Sequence, residues 1–420
     1  MRIELKENVH LMPVPTIRYK TVQMLVRFST PLRENIVTKR ALLSNLMETN
    51  SKLFPVQTEL SKKLAKLYGA SFYSYVDRKG NMHRLNFVIT IVNDSYVQDK
   101  QLLEQAVDFL KEIIFYPNVK EDAFDQETFN LEQDNLVKYI ENLVEDKSYY
   151  AKLRLQELYY RSSKAQAEAI CGTTQATEKL TAKELARYHQ KVLAEDKIDI
   201  MVMGDINETR VQKLFSDLPF IPRKISNIDL FYNEPLTNVV IERAEQESLN
   251  QSKLNLAYHL PIKFTDSSYF ALQVFNGLFG GFSQSKLFLN IREKESMTYS
   301  IGSSFDSFRS LMMVDTGINR VNRDKVIELI HEQLFSLQSG DFEETAFLQT
   351  KAMLRNVYLL SRDNIGILME EKFINFLLPQ TKFSEEEYLQ NLQLVTRKEV
   401  IEVANKIKLQ AIFFLEGTKS

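Results

Sequence analysis

Cysteine is nearly absent from this chain of 420 residues: Cys171 stands alone, so no internal disulfide can form, which fits a reducing compartment. Neither sign of charge is in surplus, with 53 Lys and Arg against 55 Asp and Glu, and no net field favours nucleic acid or an anionic membrane as a partner. Long apolar runs are missing too. No stretch suffices to cross a bilayer, and the opening residues lack the apolar core of a signal peptide, so a cytoplasmic location is expected. Histidine is sparse and dispersed, with no two of His10, His83, His189, His259 and His331 within four residues of each other. That spacing leaves no compact histidine motif for a metal. The phrase containing Gly277, Gly280 and Gly281 has no Gly-Lys-Ser/Thr beside it, which excludes a phosphate loop.

What is present is the make-up of a globular chain, 44% hydrophobic and 26% charged, long enough for two large domains or more. A repeat supplies the organisation. Thr181-Ala-Lys-Glu184-Leu185 opens a helical pattern that leads into the apolar run Ile198 to Gly204, and Thr396-Arg-Lys-Glu399-Val400 opens another that leads into Ala411 to Gly417. The two copies stay 215 residues apart through the helix. In each, the Thr hydroxyl and the Glu carboxylate suit the free N–H groups at a helix start, and the apolar run suits a buried strand. A capping box alone is common; box, helix and strand at one offset predict two similarly built halves.

The rest of each half follows the same plan. Residues 19–31 and 252–260 alternate apolar and polar as half-buried strands do. A helix over Glu59 to Leu67 ends at Gly69 and passes to a hairpin turning at 78–81; in the second half, a helix from Ser283 to Glu295 passes to strands between Thr298 and Ile318. Longer helical stretches cover roughly 100–162 and 322–376. The division is therefore 1–217, an ordered linker at 218–236 containing Pro219, Pro222 and Pro235, and 237–420. The glycines of 277–281 are expected to permit a tight turn before the Ser283 helix.

With both halves laid out, the chain resembles the insulinase and mitochondrial-processing-peptidase (pitrilysin-type) family. The resemblance runs over the whole length and is strongest at 278–300, where Gly280-Gly281, Ser283, a Leu-Phe helix, Arg292 and Tyr299 follow the family pattern. It implies an α/β (α+β) fold of two homologous halves, each an antiparallel sheet with helices, closing like a clamshell in the LuxS/MPP-like metallohydrolase manner. In detail the chain is most like bacterial proteins associated with aminopentanol modification of elongation factor P.

Catalysis in that family uses His-x-x-Glu-His, in which two imidazoles on one helical face hold zinc and the Glu serves as base for zinc-bound water. Registered on this motif, Ala41 and Asn45 stand at the ligand positions and Ser44 at that of the base. A methyl group cannot coordinate, a neutral amide is a poor zinc ligand, and a hydroxyl is no general base near neutral pH. The third ligand of the family is a Glu on a later helix; Asp134 falls near its position and Glu127 one step before it, although an acidic helix is more often a solvated face. His331-Glu332 lacks a second histidine and reads as ordinary helix.

The resemblance gives Arg292 and Tyr299 a different part. In catalytic relatives an Arg and a Tyr from the second half hydrogen-bond the substrate carbonyl and stabilise its oxyanion. The plain alternative is that Arg292 caps its helix and packs against a neighbouring carboxylate, while Tyr299 fills the sheet. A chain without a zinc site but with this pair implies a non-catalytic subunit of a heterodimer, acting on a peptide or unfolded protein with a homologous partner that carries His-x-x-Glu-His and the zinc. This chain is expected to hold no metal or cofactor. Two other classes stay open: a peptide-binding clamshell or scaffold that holds extended peptides on a sheet edge, and an enzyme of another mechanism using Cys171.

Overall fold

The computed structural model describes residues 2–225 and 228–418; Ser226 and Asn227 of the expected linker lie outside the described residues. The chain forms two compact units, one of residues 1–143 and 168–230, the other of 144–167 and 231–420.

The first unit carries a six-stranded sheet. In chain order its strands are β1 (Ile3–Lys6), β2 (Val9–Pro15), β3 (Thr21–Pro31), β4 (Ser71–Lys79), β5 (Met82–Val92) and, after the short hairpin β6 (Val119–Lys120) and β7 (Ala123–Phe124), β8 (Lys197–Gly204). Their spatial order is β1-β2-β8-β3-β5-β4. Val22, Met24, Val26 and Phe28 of β3 face the core, where they meet apolar residues of the helices Glu34–Thr49, Leu102–Phe115 and Ala182–Glu195, but the strand is not half-buried as expected, since Gln23, Leu25, Arg27 and Ser29 between them are buried too. The intervening Arg27 lies on the other face and donates to Asn86 at 2.7 Å.

The second unit repeats the plan. Strands β9 (Ile241–Glu247), β10 (Ser252–His259), β11 (Thr298–Asp306), β12 (Leu311–Ile318) and β13 (Lys408–Gly417) lie in the order β11-β12-β10-β13-β9. Read from the other end, this is the order of the first sheet without β1. Each sheet also departs from the expected all-antiparallel pairing at the same place, since β2 runs parallel to β8 and β9 parallel to β13. In both units the first strand of the shared set lies beside the last, so the intervening chain acts as one long crossover. The 215-residue repeat is thus structural: Thr181 and Thr396 both form complete capping boxes with Glu184 and Glu399.

One segment changes sides. Residues 144–167, which the sequence division puts in the first half, pack in the second unit. Asp146 caps the helix Lys147–Tyr159 by accepting from Ser148 N and Tyr149 N. The helix buries Ala151, Leu155 and Leu158 against Ala257, Ala411, Phe413 and Leu415, on the face of the sheet opposite its main core. Burying each such leucine stabilises by roughly 1.5–3 kcal/mol. Arg154 adds two N–H donors to one oxygen of Glu245 on β9, and Lys147 reaches Glu247 at 2.6 Å.

Candidate functional site

The degenerate motif sits on the helix Glu34–Thr49, whose inner residues pack under the first sheet. Ala41 is buried among apolar side chains and offers no donor atom. Ser44 is also buried, and its hydroxyl lies 2.8 Å from Ser74 Oγ on the edge strand β4. One turn on, Glu48 accepts from the Ser74 backbone N–H at 2.9 Å. This stretch therefore fastens β4 to the helix. Asn45 is half-buried. Nothing in Ala41, Ser44 and Asn45 fits a zinc ion, and among the described residues no three His, Cys, Asp or Glu side chains are grouped as a metal site.

On the helix Gln126–Glu145 the structure places Glu127 and Asp134 on the exposed side. Glu132 is the acidic residue on the buried stripe, with Phe129, Leu136 and Ile140. Burial raises its carboxyl above the usual carboxylate range, a bond to Asn135 partly offsets that, and the negative charge of Glu48 adds to the rise. The spacing 129, 132, 136, 140 carries this information in the sequence.

Arg292 and Tyr299 come together in the second unit. They line one recess of about 320 Å³ with Glu293, Ser296, Met297, Thr298 and Asn319. Three backbone features build it. The segment Leu287–Lys294 is wound as a π-helix, a form found often at functional sites, and begins later than the predicted Ser283 start. Ser296 has φ of +53°, a left-handed turn that costs on the order of a kcal/mol for a residue with a Cβ. Strand β11 then pairs Thr298 with Ile318 and Ser300 with Gly317, which leaves Tyr299 as the extra residue of a bulge. A bulge re-aims a side chain, and Tyr299 is 59% exposed with its hydroxyl 3.5 Å from Asn319 Oδ1. It does not fill the sheet. The Arg292 side chain is 41% exposed; its guanidinium stacks over Phe288 at 4.6 Å and its Nε lies 3.7 Å from Glu293. Such an exposed ion pair contributes little, so the fork can turn to an incoming anion.

The glycines before this segment differ from expectation. Gly277–Gly281 is itself a π-helical turn continuing the helix Tyr269–Asn276, and none of its glycines has a positive φ. Close packing explains Gly280: a Cβ there would stand 2.6 Å from Ser303 Oγ and 2.8 Å from Ser303 N on β11. Cys171 is buried, and loss of hydration pushes its thiol up to about 11, away from nucleophilic chemistry.

A model of the peptidase M16 inactive domain matches residues 179–354. Over 409 residues the chain is 34% identical to the probable inactive metalloprotease YmfF of Bacillus subtilis (strain 168), a match that spans 97% of this chain and 95% of that protein. The chain belongs to the M16 peptidase family. It is of the inactive, insulinase-type kind, in keeping with the side chains at 41, 44 and 45. A conserved protein from Enterococcus faecalis V583, 51% identical, superposes with a TM-score of 0.97 over 100% of this chain and 99% of its own. The M16 inactive domain from Pseudomonas fluorescens, 16% identical, has the same fold at a TM-score of 0.79, covering 100% of this chain and 98% of the other. No helix among the described residues is long and apolar enough to cross a membrane.

Proposed function

We propose that this M16 chain is the non-catalytic subunit of a heterodimeric zinc peptidase-like complex in the cytoplasm. In this reading the partner is a homologous chain with His-x-x-Glu-His and the zinc, and the shared substrate is a peptide or unfolded protein. Arg292 and Tyr299 are lent to the partner's site. The observation that carries the reading is their convergence on one open recess, with Tyr299 turned out of the ladder by a bulge. A planar guanidinium and a phenol both donate to developing negative charge, and in a water-poor site one such donor typically accounts for about 100- to 1,000-fold in turnover.

The test is to assay peptidase activity and bound zinc for each purified chain and for the mixture. Activity confined to the mixture, with stoichiometric zinc brought by the partner, is expected. Full activity of the partner alone would contradict the proposal. A second reading, a peptide-holding scaffold, draws on the edge position of β4, where exposed Tyr73 and Tyr75 stack with ring centroids 5.9 Å apart. It predicts peptide binding by this chain with no partner and no cleavage.

A further inference from the structure

The two units differ in how one seat is filled. In the first, β8 is followed by the helix Glu208–Ser216, which lies against β1, β2 and the helix Leu102–Phe115. Val211 and Phe215 of that helix are fully buried, and beneath it β2 contributes the buried Val9 and Leu11. Arg210 fixes the seated helix by donating to both oxygens of Glu104, at 2.7 and 2.6 Å, and to Asp94 at 2.7 Å.

In the second unit no helix among the described residues lies at the equivalent place, beside β9 and β13, which is open. It is a groove of about 630 Å³ between the helix Arg323–Gln338 and the strands β9 and β13. Its apolar surface comes from Ile327, Ile412 and Phe335, the last 68% exposed. Its rim is acidic: Glu242, Asp324, Glu328 and Glu332 line it against one guanidinium, that of Arg323. Arg323 is held by Glu242 and Asp324, and Lys325 meets Glu328 from outside at 2.9 Å, so the groove keeps a negative balance. Where β2 presents Val9 and Leu11, β9 turns the exposed Glu242 and Ala244 to the same side.

We propose that this groove docks a basic amphipathic helix of a partner protein, seated as Glu208–Ser216 is seated in the first unit. Two apolar side chains one turn apart would cover Ile327, Ile412 and Phe335, as Val211 and Phe215 cover their own seat. Arg or Lys flanking them would meet the acidic rim, with more cationic character than Arg210 and Lys213 give the seated helix, because the strand side is Glu242 rather than valine. The groove shares no residue with the recess of Arg292 and Tyr299, so this proposal and the peptidase reading stand or fall separately.

The probe is a fluorescein-labelled peptide of about sixteen residues, roughly four helical turns, with Leu at i, i+3, i+4 and i+7 and Lys elsewhere; a twin carries Glu for Lys. Anisotropy titrations of the full chain at about 0.15 M salt retain only short-range charge contacts. Saturable binding of the Lys peptide over the Glu twin is expected, weakened at least tenfold by Phe335→Ser and by the pair Glu328→Lys and Glu332→Lys. The charge-reversed chain is expected to gain the Glu twin. All three positions are exposed, so the variants should melt as the wild type does. Equal binding of both twins, indifference to the substitutions, or no saturable binding overturns the proposal.

Discussion

Ser44, which the resemblance registers on the base position, makes a structural bond: its hydroxyl meets Ser74 and helps anchor β4. Its neighbour Arg40 is wholly buried, bonded to Asp196 and donating to Phe28 O at 2.7 Å. Arg40→Met removes one partner of a buried ion pair and strands the Asp196 carboxylate, so a loss of about 3–5 kcal/mol in urea unfolding is expected. His189 gives a pH signature. Its Nε2 meets Ile114 O at 2.9 Å and burial lowers its pKa to about 4. The unfolded chain takes up this proton near the ordinary value of about 6.5, the folded chain only near 4, so the stabilisation is complete above 6.5 and is lost as pH falls towards 4. Urea midpoints should fall over that window, to which His10 and the buried His83 contribute in the same direction, and His189→Gln should make this part of the profile less steep; an unchanged slope would contradict the assignment.

Elements were legible in unequal measure. The two Thr-x-x-Glu boxes could be read because capping is local chemistry, and Thr181→Ala and Thr396→Ala should each cost about 1 kcal/mol, measured as a drop in Tm. The helix Lys147–Tyr159 was legible as a helix but not by address, since a stripe of Ala151, Leu155 and Leu158 fits any apolar sheet face. In the third-ligand region the resemblance pointed to Asp134, which the structure places on the exposed side, while the three- and four-residue spacing of Phe129, Glu132 and Leu136 marks the buried stripe. The π-winding, the left-handed Ser296 and the bulge at Tyr299 depend on packing of 277–294 against β11, which no periodicity reports. Gly280→Ala tests that packing. The added methyl presses on the Ser303 backbone, and about 1–3 kcal/mol of destabilisation is expected, read as a lowered urea midpoint.

At the scale of the molecule, the duplicated sheet order is what makes the comparison between units informative. The same strand plan supports a helix carrying Ala41, Ser44 and Asn45, which offer nothing to a zinc ion, in one unit and an open Arg292/Tyr299 recess in the other. On the proposed reading, this chain lends those donors to chemistry that it does not perform alone. The decisive measurement is kcat of the mixture with the zinc-bearing homologue for wild type, Arg292→Ala and Tyr299→Phe, with complex mass recorded beside each rate. A fall of about 100- to 1,000-fold for each substitution, at unchanged complex mass, is predicted. Unchanged kcat in an intact complex would contradict the shared site and reduce the pair to surface residues.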